Sequence, residues 1–298
     1  MLSKIRNLFS SSPTSPRAQA ELFDATFAIV MSRYRSRRLA SADPHEEDSG
    51  LLLMAEKQTE EELRGQCLYE HRSVMQKQLQ DQASKLMYKI EENTGGDGVL
   101  MERELHENVG FSLLSQPSLV HGADKGLYVT GSALAGSVLG FIPGRTCLPE
   151  HLKRPGALDE FQDDPNHLIL SRYDEVVIDA RGEHGLCMNN NPYAMGHFAN
   201  HPSQGVMPNV IQLMLDYSSD IDPDIEHLIP NQFAKPPTLL GTPDRSACMY
   251  GLCLMAARDV KEEELFVNYR FNPAAKASWP TWYAPVEGDG GEERWSKE

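Results

Sequence analysis

Two pairs of candidate metal ligands stand out in the sequence, and neither pair predicts a metal site. His197 and His201 in HFANH are four residues apart, which on a helix would place two imidazoles on one face. The flanking prolines and glycine disfavour a helix there, and a zinc site would need a third ligand. Cys147 and His151 in CLPEH form an equally weak pair. We therefore expect no bound metal.

Other common signatures of catalytic and nucleotide-binding sites do not occur in the sequence. It contains no GxGxxG, no GxxxxGK[ST], no HExxH and no GxSxG. These motifs place glycines against phosphates, histidines on zinc, or a serine in a sharp turn. Dinucleotide, P-loop, zincin and serine-hydrolase chemistry are therefore not indicated.

Three segments combine glycine, asparagine, histidine and tyrosine in a fixed order. KGLYVT at 125–130 precedes the Gly-rich SVLGFIPG at 137–144. HFANH at 197–201 is followed by PNV at 208–210, and KEEELFVNY lies at 261–269 near the C-terminal end. Each segment alone occurs by chance in many chains, so the order carries the information.

In this order the segments resemble a SET domain, the fold of S-adenosylmethionine-dependent protein lysine methyltransferases. That family has a GxG strand, a core of the type R-F-x-N-H-S-C-x-P-N and a late G-E-E-L-x-x-x-Y. The counterparts are Gly126, the run 197–209 and the segment ending in Tyr269, with VVIDA at 176–180 before the core. The resemblance covers about residues 109–283. It implies a mostly β domain of short, irregularly connected strands with a knot-like C-terminal core.

The resemblance also implies S-adenosyl-L-methionine as the cofactor and a protein lysine as the substrate. Tyr269 takes the place of the catalytic tyrosine that orients the amine. The implied cofactor-binding residues are Lys125, Gly126, Leu127, Tyr128, His197, Asn200, His201 and Tyr269. Candidate residues for the substrate channel are the aromatic ones that follow, Phe271, Trp279, Trp282 and Tyr283.

Methyl transfer explains why such residues would be needed. Displacement at a sulfonium methyl requires nucleophile, carbon and leaving sulfur to be collinear. A free lysine has a pKa near ~10.4, so its amine must be desolvated beside the cation to lose its proton. Glycine at position 126 would let the backbone approach the cofactor closely. Glu263 and Glu264, in contrast, are expected in a solvated charged turn with a structural role.

Departures from the family pattern keep a second function open. His197 replaces the usual Arg, 202–203 replace Ser-Cys, and 261–262 stand where a Gly is usual. Asn268 replaces a common Asp, and no cysteine follows Cys253 to form the zinc-binding segment of many histone methyltransferases. The alternative is a catalytically inactive SET-like module that binds or scaffolds a protein.

A helical N-terminal region is predicted before the β-rich part. Apolar residues recur at helical spacing over 19–38 and 51–92, with Gly65 as a possible break, and NTGGDG at 93–98 ends the helices. Four regions are predicted. They are a disordered basic N-terminus or targeting segment at 1–18, the helical region at 19–98, the SET-like domain at 109–283 and a disordered tail at 284–298. The helices could contact a partner or pack on the SET-like domain.

Composition sets the broad class. The 298 residues include 28 Lys+Arg and 43 Asp+Glu, a net charge of −15, so direct nucleic-acid binding is not expected. No apolar run approaches the ~20 residues of a membrane span. Five scattered cysteines indicate a reducing compartment, the nucleus or cytoplasm. The Ser-rich, acid-free first 20 residues leave a mitochondrial or plastid address as the alternative.

The charge is divided unevenly along the chain. Residues 1–38 carry seven basic and two acidic side chains, a charge of +5, which leaves −20 for residues 39–298. The SET-like region lies within the negatively charged part, and long-range electrostatic attraction by that charge favours a basic, lysine-bearing protein partner. The positive segment predicts a separate address or tether.

Overall fold

The computed structural model describes residues 15–41, 48–93, 98–153, 156–161, 168–182, 191–217, 221–232 and 249–286. Most of the predicted segments 1–18 and 284–298 therefore lies outside the described residues. No helix in the described ranges is both long and apolar enough to cross a bilayer.

The described part of the N-terminal region contains four helices: α1 Pro16–Ala40, α2 Asp48–Leu63, α3 Leu68–Glu92 and α4 Gly98–Val109. Helix α1 begins at Ser15, whose hydroxyl accepts a hydrogen bond from the Ala18 N–H, with Pro16 in the first turn. Gly65 separates α2 from α3 with a φ of 77°, as the sequence suggested. The sequence pattern did not predict helix α4, because the turn residues at 93–98 are typical of the end of a helical region.

In the ranges that the structure describes, ten strands form three small sheets. In chain order they are β1 Phe111–Pro117, β2 Lys125–Ala133, β3 Val138–Phe141, β4 Gly144–Cys147, β5 Ile169–Ser171, β6 Val177–Asp179, β7 Val210–Asp216, β8 Asn231–Gln232, β9 Tyr250–Ala256 and β10 Val260–Leu265. The sheet orders are β1-β2-β10, β3-β9-β7 and β5-β6-β4-β8. All of these pairs are antiparallel except β4 with β8.

The remaining elements are short. Among the described residues, two one-turn helices, α5 Pro149–Leu152 and α6 Pro223–Glu226, and the 3₁₀ turns Ala157–Phe161 and Gly196–Phe198 lie between strands, and the 3₁₀ turn Pro273–Ser278 follows β10. The fold is thus mixed α/β with an N-terminal helical region, and the prediction of a mostly β protein was wrong for the chain as a whole. Helices α1 to α4 alone contain 25, 16, 25 and 12 residues.

Helices and sheets share one hydrophobic core. Ile29 and Val30 of α1, Leu79 of α3, and Leu127 and Leu254 of β2 and β9 belong to the same buried cluster. Each of these side chains is at most 1% exposed. Because apolar burial is the main driving force of folding, the helices contribute to the same folding unit as the strands.

Side-chain amides of α3 attach this helix to exposed strand edges. Gln76 Nε2 donates to the Met214 carbonyl at 2.9 Å, and its Oε1 accepts from the Asp216 N–H at 2.8 Å. Gln82 makes the same pair of bonds with the Gly136 carbonyl and the Val138 N–H, both at 3.1 Å. The glutamines thus pair backbone groups at the edge of β7 and at the start of β3.

Helix α1 approaches the turn before β3 so closely that a glycine is required there. Gly136 has a φ of 83°, and a Cβ on it would lie 2.1 Å from the Met31 carbonyl oxygen. Both the backbone conformation and the contact with α1 exclude a side chain.

We expect Gly136→Ala to lower the free energy of unfolding by about 2–4 kcal/mol, from the left-handed conformation and the overpacking together. Gly65→Ala is the matched control, since Gly65 has φ 77° but no atom within 4 Å of its added Cβ. That control should lose about 1–2 kcal/mol. Equal losses in denaturant titrations would contradict close packing of α1 on this turn.

Candidate functional site

The chain just after β10 lies between two segments that the sequence places about 60 residues earlier. The Val267 N–H donates to the Asn200 carbonyl at 2.9 Å. On the other side, the N–H groups of Asn209 and Val210 donate to the Phe266 carbonyl at 3.1 and 3.2 Å. Residues 266–267 are therefore held from both sides, and this places Tyr269 beside the Asn200 segment.

Asn209 fixes this crossing with its side chain. Its Oδ1 accepts from the Phe266 N–H at 2.6 Å, and its Nδ2 donates to the Glu264 carbonyl at 2.8 Å. The side chain is 1% exposed. Asn209 thus satisfies buried backbone groups on the adjacent segment.

Glu264 is at the centre of a buried polar cluster. Its Oε1 accepts from the Ser118 hydroxyl at 2.6 Å, and its Oε2 accepts from the Leu119 N–H at 2.7 Å. The hydroxyl of Tyr128 and the amide of Asn200 lie 3.1 and 3.4 Å from the same carboxylate. Glu264 is 2% exposed, so the expectation of a solvated turn was wrong for this residue.

Burial and the adjacent Glu264 carboxylate both raise the pKa of Tyr128. The phenol therefore keeps its proton at neutral pH and remains a hydrogen-bond donor. The Glu264 cluster, defined as Glu264 with Ser118, Tyr128 and Asn200, accordingly contains one carboxylate surrounded by donors. Such pairing is what allows a charge to be buried.

Gly126 faces this cluster. A Cβ at position 126 would lie 2.0 Å from Glu264 Oε1 and 2.7 Å from Glu264 Cδ. The space left by the missing side chain is therefore filled by the carboxylate. Gly126 therefore has the Glu264 carboxylate as its neighbour, whereas the sequence predicted close approach of a cofactor at this glycine.

The residues on either side of Gly126 point in different directions. Lys125 is exposed, with its Nζ 5.9 Å from the centre of the Phe198 ring, and its carbonyl accepts from Asn200 Nδ2 at 2.8 Å. Leu127 is fully buried and its side chain belongs to the core. Of this strand's candidates, Lys125 and Tyr128 offer polar side-chain groups near Asn200.

His201 and Tyr269 form the second half of the site. The Tyr269 N–H donates to His201 Nδ1 at 3.3 Å, and His201 Nε2 lies 2.8 Å from the Ala284 carbonyl. These contacts require the tautomer that carries its proton on Nε2. The Tyr269 hydroxyl donates to the Ala199 carbonyl at 3.3 Å. The hydroxyl is thus placed beside the backbone that precedes Asn200.

Aromatic rings of the C-terminal segment 279–286 cover His201. The Tyr283 ring centre lies 4.5 Å from that of His201 and 4.5 Å from that of Phe271. Trp282 lies 6.2 Å from Tyr269 and is 43% exposed. The four channel candidates therefore lie in one aromatic group with Tyr269, in which Trp279 contacts Tyr283 at 5.0 Å.

Tyr269 also lines a cleft with a cavity volume of about 360 Å³. Its walls come from α1, β5, β7 and the segment after β10. The aromatic rings that line it are those of Phe23, Phe27, Tyr269, Phe271 and Trp279. The described lining contains no carboxylate and no lysine, so the cleft suits an extended apolar group.

His197 is partly buried, and its buried Nδ1 has no hydrogen-bond partner among the described residues. It occupies the 3₁₀ turn Gly196–Phe198, so it does not share a helix face with His201. Burial lowers the pKa of His197 to about 4. In the described ranges, no group of three His, Cys, Asp or Glu side chains could hold a metal ion.

Three contributors to the site were missed in the sequence. Glu264 looked like part of a charged turn, and the carbonyl of Ala199 has no sequence signature. Asp24 pairs with Arg270 directly after Tyr269. A signal for Asp24 was present, because a carboxylate inside the apolar run LFDATFAIV must be paired when that face is buried.

No family model matches this chain, and no curated protein matches it. The inference of function therefore depends on the sequence motifs and on the geometry described above.

We expect Gly126→Ala to lower the free energy of unfolding by about 1–3 kcal/mol, because the new methyl group displaces the Glu264 carboxylate. A double-mutant cycle measured by denaturant unfolding tests this. In a Glu264→Ala background the added methyl should cost close to nothing. An undiminished cost there would show that the cluster is not the reason for the glycine.

We expect His197 to make the protein acid-sensitive. Because its folded pKa of about 4 lies below its unfolded value, the unfolded state binds the extra proton as the pH falls from about 6.5 to 4. Stability should fall in that window by up to about 1.4 kcal/mol per pH unit. His197→Gln should remove this part of the slope and leave the slope above pH 6.5 unchanged. Identical profiles below pH 6.5 would contradict a neutral buried imidazole.

Proposed function

We propose that this chain is an S-adenosylmethionine-dependent methyltransferase that acts on lysine side chains of a protein, with a SET-like domain and a knot-like C-terminal core. One observation carries the proposal: Gly126, Asn200, His201 and Tyr269, which come from three distant segments, belong to one connected site. Glu264 contacts the first two, and the Tyr269 N–H contacts His201. The two-sided contacts of residues 266–267 support the knot-like core.

Finer features resemble one branch of that family, SET domain-containing protein 9. They are the N-terminal helices, the spacing of Asn200 and Asn209, the LIPN segment at 228–231, and ARDV before ELFVNY at 257–269. This part of the proposal depends on sequence resemblance alone.

The chemical groups in the site fit the proposed cofactor. The Tyr269 hydroxyl and the Ala199 carbonyl, 3.3 Å apart, are oxygen acceptors of the kind that suits a methyl group on a cationic sulfur. The exposed Lys125 ammonium suits a carboxylate, and the rings near His201 suit an adenine. When bound, the cofactor would supply an electrophilic methyl group.

Tyr269 has the hydrogen-bonding capacity to orient an amine. Its hydroxyl proton is directed at the Ala199 carbonyl, so in a hydrogen bond with a substrate amine the Tyr269 oxygen would be the acceptor of the N–H. An amine held in this way has its own lone pair free to attack. Fixing that geometry is the main catalytic contribution available to the residue.

The cleft provides the conditions that a lysine needs before transfer. Its aromatic walls can cover the apolar stem of the side chain, and their faces attract a cationic head group. Removal of water from the ammonium lowers its pKa and favours the neutral, nucleophilic form. Phe271 and Trp279 therefore serve as the channel residues in this proposal, with Trp282 and Tyr283 at its edge.

A specific observation favours a second candidate, an inactive SET-like binding module. The segment 279–286 packs on His201 through Tyr283 and the Ala284 carbonyl. In addition, the Glu264 carboxylate fills the space beside Gly126. A site closed by its own residues would keep the protein surface for binding while excluding the cofactor.

We expect calorimetry to detect binding of S-adenosylmethionine, and labelled cofactor to transfer methyl groups to protein lysines. Tyr269→Phe should lower turnover by about 100-fold, as expected for loss of one oriented polar group, with cofactor affinity retained. Tyr88→Phe is the matched control, because it removes a hydroxyl bonded to Asp222 at 2.7 Å outside the site. Failure to bind the cofactor would refute the enzyme and favour the binding module.

A further inference from the structure

Helix α1 carries a buried carboxylate that reaches the chain next to Tyr269. Asp24 Oδ2 accepts from Arg270 Nη1 at 2.6 Å, and Asp24 Oδ1 accepts from Arg270 Nη2 at 3.1 Å. The two residues are 3% and 8% exposed. A two-pronged guanidinium–carboxylate pair of this kind fixes orientation as well as distance.

Tyr173 completes the carboxylate's hydrogen bonds. Its hydroxyl donates to Asp24 Oδ2 at 2.7 Å, while its backbone carbonyl accepts from Arg17 Nη2 at 2.6 Å. Both ends of this bonding chain are on helix α1. The helix is thus attached at the same point to Arg270 and to the turn between β5 and β6.

The backbone of Arg270 needs this support. Its φ of 49° lies in the left-handed region, where residues other than glycine are rare. Its N–H donates to Asn268 Oδ1 at 3.0 Å, which closes a tight turn around Tyr269. Such a conformation persists only where the surroundings hold it, and Asp24 is the ionic partner on the guanidinium side.

The residues around Asp24 in the helix face the cleft. Phe23 and Phe27 line it together with Tyr269. Phe27 is 4% exposed and Phe23 is partly buried against the core. One stretch of α1 thus supplies both a wall of the cleft and the anchor of the tyrosine's neighbour.

From these contacts we propose that helix α1 is part of the working site: Asp24 is a positioning residue that holds the Tyr269 hydroxyl through Arg270, and Phe23 and Phe27 are specificity-determining residues of the cleft. The inference rests on the proposed function, since it assigns roles toward the same tyrosine. It makes the N-terminal helices a component of the site.

Asp24→Asn tests the positioning role, because it keeps the shape of the side chain and removes its charge. The matched control is Glu21→Gln, three residues earlier on the same helix. Glu21 is also buried, at 6% exposed, but its carboxylate pairs with Arg72 of α3. Each variant removes a buried carboxylate of α1 from its ion pair, and of these two carboxylates only that of Asp24 contacts the chain beside Tyr269 in the described structure.

We expect Asp24→Asn to lower kcat by about 100-fold with little change in KM, since small displacements of a reacting group have effects of this size. Glu21→Gln should leave kcat within about 3-fold of the wild type, and Asp24→Glu should recover part of the loss by restoring the carboxylate. Phe23→Ala should act mainly on KM. Equal losses of kcat in Asp24→Asn and Glu21→Gln at equal thermal stability would overturn the positioning role.

Hydrogen–deuterium exchange provides a readout that does not depend on activity. Peptides covering residues 266–271 should exchange faster in Asp24→Asn than in the wild type, and at the wild-type rate in Glu21→Gln. If Asp24→Asn does not fold, Arg270→Lys keeps the charge, loses the two-pronged geometry and should show the same exchange change. An unchanged exchange rate of residues 266–271 in the variant measured would refute the positioning role of Asp24. Absence of methylation by the wild type would refute the proposed function alone.

Discussion

The structure depends most on how residues 264–267 are held between two earlier segments. Backbone hydrogen bonds to Asn200 and to Asn209–Val210 hold Phe266 and Val267. The side-chain amide of Asn209 also bonds to the Phe266 N–H and the Glu264 carbonyl, as the backbone of a neighbouring strand would. This crossing makes neighbours of residues about 60 positions apart in sequence. Tyr269 reaches His201 and Ala199 because it follows the end of the crossing by only two residues. Forming it requires long-range loop closure, whose entropic cost the buried hydrogen bonds offset.

Burying Glu264 at this crossing is acceptable because of the donors around it. An ionised carboxylate loses the solvation of water on burial, and the hydroxyl of Ser118 and the Leu119 N–H replace that solvation at 2.6 and 2.7 Å. Gly126 is the steric condition for this arrangement, because any Cβ would occupy the position of the oxygen. The cluster therefore links β2, β10 and the Asn200 segment in one polar contact. A site built on such a contact has a fixed geometry before any ligand enters.

Periodicity predicted much of the fold, and local irregularity explains most of what it missed. The short β-type runs at 126–130, 175–179 and 210–216 predict strands, and these overlap β2, β6 and β7, while the helix predicted over 19–38 lies within α1. The register of β10 could not be read, because a bulge between Lys261 and Glu263, with Glu262 at a φ of 46°, shifts the alternation and turns Glu264 inward. For the site, the motifs indicated Asn200, His201 and Tyr269 as candidates. They did not indicate Asp24, because its partner Arg270 lies 246 residues away.

The net charge of the chain acts over longer distances than the contacts inside the cleft. The described lining of the cleft has no carboxylate, and its one guanidinium, Arg270, is paired with Asp24. The charge of −20 over residues 39–298 therefore cannot select a side chain inside the cleft. It can act on approach, over about the 8–10 Å that salt leaves unscreened. Under the proposed function, attraction of a basic protein and recognition of its side chain would be separate steps, the first set by surface charge and the second by the aromatic walls that α1 helps to form.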